Sequence, residues 1–138
     1  MASLKIIIVD DNLHFRNALR SFLENEFRFD VIDEASSGDD FMLLDTIESA
    51  DLIFMDLFMP GTNGKDATIK ILSRMPHLKF IAVTMHADLA YTRQLMSAGF
   101  RGAIAKPRLF ADLPAAIEAV RNNLNYFPML SNGNQIKV

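Results

Sequence analysis

The chain has 138 residues, half of them hydrophobic and 22% charged, with a formal net charge of −3. That is the length of one domain with enough apolar material for a core, and it argues against disorder. The acidic balance argues against a non-specific grip on nucleic acid or anionic membrane, and the lack of cysteine excludes disulfides, thiolate metal sites and cysteine nucleophiles. No apolar run approaches the ~18 residues of a membrane span, and Met1-Ala2-Ser3-Leu4-Lys5 does not open a signal peptide. A soluble cytoplasmic protein is the expectation.

Short apolar runs alternate with stretches of helical spacing. Residues 5–9 (KIIIV) read as a first strand and end at Asp10-Asp11. Phe15, Leu19, Phe22 and Leu23 follow at i, i+4, i+7 and i+8, one face of a helix that ends where Phe27 leaves the pattern. Residues 29–32 give a second strand, and Phe41, Leu44 and Ile47 a second helix. Residues 51–55 form a third strand that runs into Asp56; Ala67, Ile71, Leu72 and Met75 mark the third helix. A fourth strand, residues 80–83, ends at Thr84 and precedes a helix over about 89–98 with Gly99 as its C-cap. Gly102-Ala103-Ile104-Ala105 is the fifth strand, followed by Lys106-Pro107. Leu113, Ile117 and Val120 mark a last helix, with Asp112 as candidate N-cap and Pro114 in the first turn. Beyond about Asn122 periodicity fades, so one domain is expected over residues 1–124 and a tail or truncated linker over 125–138.

The first, third and fourth runs are apolar on successive residues, as strands buried on both faces are. Five strands alternating with five helices predict an α/β fold, a doubly wound five-stranded parallel sheet of flavodoxin-like form. All strand C-terminal ends then share one edge, where ligands of such folds bind. That edge collects Asp10, Asp11 and Asp56, the hydroxyl of Thr84 and the ammonium of Lys106. Three close carboxylates repel, a conflict that a hard divalent cation with oxygen ligands, Mg²⁺, resolves. Metal and lysine can balance an incoming phosphoryl group while a carboxylate attacks phosphorus.

Ile7-Ile8-Val9-Asp10-Asp11, Phe54-Met55-Asp56-Leu57-Phe58-Met59-Pro60-Gly61 with Gly64, Ala82-Val83-Thr84 and Ala105-Lys106-Pro107 together resemble the motif set of response-regulator receiver domains of two-component signalling, over about residues 4–122. Asp10-Asp11-Asn12-Leu13-His14-Phe15-Arg16 and Ala90-Tyr91-Thr92-Arg93-Gln94-Leu95 are similar to the LuxR/NarL-type subclass, in which a DNA-binding domain follows the receiver. The resemblance implies Asp56 as phosphoacceptor, with Asp11, Asp56 and the Phe58 backbone carbonyl on Mg²⁺ and Asp10 reaching it through water. It further implies Thr84 and Lys106 on the phosphoryl group, and a cis peptide bond before Pro107. Implied partners are a histidine kinase or phosphotransfer protein, and a downstream protein or further domain of the same chain met through about residues 89–120, with a homodimer as another arrangement. The chain itself is expected to bind neither nucleic acid nor membrane. It is either a stand-alone receiver or a fragment of a longer regulator, and not an enzyme, because the acceptor is its own aspartate.

Two positions depart from the family pattern. Ala103 stands where receivers usually carry Tyr or Phe, with Phe100 out of register to replace it, and bulky Met85 stands where a small residue usually follows the threonine. Signalling through backbone shifts after the fourth strand is the resulting expectation, with Ala103→Tyr leaving partner binding unchanged. The same departures are the case for a pseudo-receiver, an interaction or dimerisation module independent of phosphorylation. A haloacid-dehalogenase-like phosphatase would need a second aspartate where Phe58 stands, and a flavodoxin-like cofactor binder a phosphate-cradling loop where Asp10-Asp11 stands. His14 and His77 read as surface residues, and His86 as a flank of the site. Phe58 and His86 sit where the family tunes phosphoryl lifetime, and Tyr91 reads as exposed or half-buried.

Overall fold

The computed structural model describes residues 3–85 and 89–128. Five strands, β1 (Lys5–Val9), β2 (Asp30–Ala35), β3 (Leu52–Asp56), β4 (Phe80–Thr84) and β5 (Gly102–Ala105), form one parallel sheet in the order β2-β1-β3-β4-β5. Helices α1 (Leu13–Glu26), α2 (Gly38–Met42), α3 (Gly64–Arg74), α4 (Leu89–Ala98) and α5 (Leu109–Arg121) cover its two faces. Ile7, Val9, Ile53, Met55, Phe80, Ala82 and Ala103 point into one core with Phe41, Ala67, Ile71 and Leu95. Their alternates Ile6, Ile8, Leu52, Phe54, Ile81, Val83 and Ile104 point into a second core with Leu19, Leu23, Leu113, Ile117 and Val120. The uninterrupted apolar runs thus come from burial on both faces of the pleat. Among the described residues no helix is long and apolar enough to cross a membrane.

α1 ends at Phe27, as its spacing predicts, and Gly99 follows α4 at φ +102°. Elsewhere the boundaries move. β2 runs three residues beyond the expected end at Ile32, through Asp33 and Glu34 to Ala35, because it is an edge strand whose carboxylates find partners. Glu34 binds Arg16 at 3.0 Å and Arg20 at 2.6 Å, and Asp33 accepts from Thr46 Oγ1 at 2.7 Å. The predicted second helix is instead two short pieces, α2, with Ser37 Oγ accepting from Asp40 N, and a 3-10 turn at Ile47–Ser49. Phe41 and Ile47 are both buried, so the apolar spacing is met by two turns. α5 starts at Leu109, ahead of Asp112, which lies in its first turn paired with Arg108 at 3.1 Å, and Pro114 falls inside the helix. The chain leaves β5 through a 3-10 turn, Lys106–Arg108, with Pro107 at its start. That turn is built without the implied cis bond: there is no cis peptide among the described residues.

The segment read as the start of a tail packs instead. Asn123, at φ +61°, reverses the chain, and Leu124 N donates to Ala119 O at 2.9 Å. Tyr126 then bridges to Gly102 in parallel, its N donating to Arg101 O and its O accepting from Ala103 N, both at 2.9 Å. Phe127 is fully buried in the core that contains Ala103 and Phe100. Packed structure therefore reaches Phe127, past the boundary expected at 124.

Candidate functional site

Each strand delivers one group to the C-terminal edge of the sheet. Asp10 follows β1, its N donating to Ala35 O at 3.0 Å, which fixes its backbone against β2. Its carboxylate, 1% exposed, accepts from Asn12 N at 2.8 Å, and its carbonyl from Arg16 Nη1 at 2.6 Å. Asp11 is exposed. Asp56, the last residue of β3, is 5% exposed, and its Oδ1 accepts from Phe58 N at 3.4 Å. α3 can begin directly over it because residue 64 is glycine: a Cβ there would collide with the Asp56 carbonyl and the Met55 side chain. Thr84 ends β4 fully buried, one residue beyond Val83, which pairs with Asp56 across the sheet. Lys106 leaves β5 and extends its ammonium to 2.9 Å from Asp10 Oδ2 and 3.7 Å from Asp56 Oδ2.

The three carboxylates lie within 4.8 Å of one another. One ammonium against three carboxylates leaves excess negative charge in a poorly solvated place. Burial, joined by repulsion from Asp10, therefore pushes the Asp56 carboxyl up from 3.8 to about 6, with Lys106 opposing. A divalent cation fits this donor set, which is all oxygen, anionic and open on one side. Asp11, Asn12, Asp56, Phe58, Met85 and Lys106 line the opening, a cleft of about 360 Å³.

The structure brings together Asp10, Asp11, Asp56 and Lys106, with Phe58 on the cleft wall and Thr84 at the adjoining strand end. Met85, 61% exposed, stands on the rim and leaves Asp56 on the cleft wall. Phe58, 54% exposed, stacks on half-buried Tyr91 at 5.8 Å between ring centroids. His14 is exposed on α1, and His77 is exposed at the opposite edge of the sheet beside Leu4, Asp51 and Lys79. His86 lies outside the described residues. Sequence reasoning missed two residues of the site's frame. Helical spacing places Phe15 in the helix core alone, yet its ring lies 4.5 Å from the Lys106 ammonium, and Arg16 grips the Asp10 carbonyl. The missed signal was their place in the first turn after an acidic pair, where a helix starts over the site.

Comparison with known proteins identifies the family. The family model described as the response regulator receiver domain matches residues 6–118. The transcriptional regulatory protein DegU of Brevibacillus brevis is 31% identical over 118 residues, 86% of this chain and 49% of that protein. The response regulator UvrY of Escherichia coli K12 is 30% identical over 123 residues, 89% of this chain and 56% of that protein. This chain thus spans about half the length of the curated relatives it matches. Among solved structures, a two-component response regulator of the LuxR family from Aurantimonas sp. SI85-9A1 superposes with a TM-score of 0.84 at 28% identity, covering 91% of this chain and 89% of that one.

Proposed function

The chain belongs to the response-regulator receiver domains, and from that premise we propose that it accepts a phosphoryl group on Asp56, with Mg²⁺ in the acidic cluster, and thereby changes its affinity for a partner. One observation carries the reading: Asp10, Asp11 and Asp56 converge within 4.8 Å, with the Lys106 ammonium against two of them. A carboxylate so crowded needs a cation, and the lysine supplies only one charge.

Asp11, Asp56 and the Phe58 carbonyl would hold Mg²⁺ directly, and Asp10 would act on it through water. When bound, the ion offsets the negative charge of the cluster and of the incoming phosphoryl oxygens. Asp56 acts in its ionised form: a carboxylate oxygen forms the new P–O bond as the donor's P–N bond breaks, when the donor is a phosphohistidine. The leaving imidazole nitrogen keeps the electron pair and takes a proton from solvent. Lys106, already 3.7 Å from Asp56, pairs with a phosphoryl oxygen, and the Thr84 hydroxyl donates to another once the β4 end shifts toward it. The acyl phosphate is a covalent state of the protein itself, so the chain is a substrate that assists its own modification rather than a turnover enzyme.

The donor is a histidine kinase or phosphotransfer protein, and the altered partner, a downstream protein or an output domain, meets about residues 89–120. Met85, on the rim beside Asp56, no longer argues for a pseudo-receiver, and Ala103 has a packing explanation in Phe127. Intact mass after incubation with acetyl phosphate tests the reading. One phosphoryl group should add in the presence of Mg²⁺, none with chelator and none to Asp56→Asn. A folded wild-type protein that binds Mg²⁺ and gains no adduct from either acetyl phosphate or a phosphorylated phosphotransfer protein would overturn it.

A further inference from the structure

We propose that Phe15 is a positioning residue for Lys106, holding its ammonium beside Asp56 by a cation–π contact that a metal ion in the acidic cluster does not weaken. The proposal rests on the phosphoacceptor reading of Asp56.

Among the described residues the Lys106 ammonium has three charged or aromatic neighbours: Asp10 Oδ2 at 2.9 Å, Asp56 Oδ2 at 3.7 Å and the Phe15 ring, whose centroid is 4.5 Å away. Two of these are also carboxylates of the cluster. A divalent cation there would draw on both and repel the ammonium. The ring is neutral, attracts a cation through its quadrupole and is indifferent to that competition. Of the three neighbours, it alone can keep the lysine at hand as the cluster fills.

The ring is well placed for this. Asn12 caps α1 by accepting from Phe15 N at 3.0 Å, while Asn12 N donates to Asp10 Oδ1 at 2.8 Å. Arg16, next in the turn, donates to the Asp10 carbonyl at 2.6 Å. Phe15 and the Asp10 carboxylate are therefore set by one helical turn and move together. The inner part of the ring packs against the core between α1 and α5, which leaves a face for Lys106.

The test pairs Phe15→Leu, which keeps an apolar side chain but has no ring, with Phe15→Tyr, which keeps the ring. The rate of phosphorylation is measured against acetyl phosphate concentration, beside magnesium affinity and thermal stability. Phe15→Leu should lower the maximal rate roughly 3- to 10-fold, with the half-saturating donor concentration and magnesium affinity within about two-fold of wild type; Phe15→Tyr should restore the rate. An unchanged rate in Phe15→Leu, an equal loss in Phe15→Tyr, or a loss of magnesium affinity matching the loss of rate would overturn the assignment. NMR of the Lys106 side chain separates this from failure of the phosphoacceptor reading. Its methylene protons next to the ammonium should be shifted upfield by the ring with and without saturating Mg²⁺, and lose that shift in Phe15→Leu. No upfield shift in wild type, or one that vanishes on adding Mg²⁺, would overturn the proposal whether or not Asp56 is phosphorylated.

Discussion

Asp56 sits where a carboxylate is least comfortable, at the buried end of a central strand beside a second buried carboxylate. Its carboxyl is pushed from 3.8 to about 6 by burial first and by Asp10 next. The folded state therefore binds more protons than the unfolded chain between about pH 4 and pH 6, and stability falls as pH rises through that window. At neutral pH the full cost is present, up to ~3 kcal/mol at 1.36 kcal/mol per pKa unit. Asp56→Asn removes the charge and keeps an acceptor for Phe58 N. In magnesium-free buffer it should melt at a higher temperature than wild type at pH 7.5, with the gap closing toward pH 4. A gap that does not vary with pH, or an Asn variant less stable at pH 7.5, would contradict the charge conflict. The three aspartates and Lys106 were legible in the sequence because each directly follows an apolar run, and a parallel sheet sends all such positions to one edge. The ring of Phe15 was not, because an aromatic at helical spacing looks the same whether its outer face meets water or an ammonium.

At the scale of elements, legibility followed burial. β1, β3, β4 and β5 are buried on nearly every residue and could be read from their apolar runs, whereas β2 was half missed. Its register against β1 slips between Ile6 and Ile7, and its outer residues are held by ion pairs rather than apolar contact. The bridge at Tyr126 was missed entirely, since residues 125–127 are too few to show a period. Yet that segment explains Ala103. Ala103 is fully buried in the same core as Phe100 and Phe127, and its N–H binds the Tyr126 carbonyl. Ala103→Tyr, expected to leave partner binding unchanged, therefore carries a stability cost of its own: the ring must displace neighbours, a destabilising overpacking of ~1–3 kcal/mol or more. Phe127→Ala should cost ~3–5 kcal/mol, as removal of a buried Phe does. Urea unfolding would show it as a lower midpoint with an unchanged slope. A loss under ~1 kcal/mol would mean that the segment after α5 does not hold its place in solution.

At the scale of the molecule, the topology separates what stabilises the fold from what performs the chemistry. Two apolar cores lie on the two faces of the sheet, and the acidic cluster lies at its C-terminal edge, where Asp11 projects into solvent. Substituting Asp11 disturbs neither core, so Asp11→Asn should stay within ~0.5 kcal/mol of wild type without metal. It also removes one of the charges that raise the Asp56 carboxyl. A cation that binds only the folded cluster adds RT ln(1 + [L]/Kd), ~1.4 kcal/mol at ten times Kd, which raises the melting temperature by ~5 °C in a domain of this size. Thermal melts against magnesium concentration should show that rise in wild type and little or none in Asp11→Asn. A variant that keeps the wild-type rise would place the ion away from Asp11, and a wild type that shows none would remove the ion from the mechanism. Because binding is linked to global unfolding, a few degrees in a melt report on an ion held at the edge of the sheet.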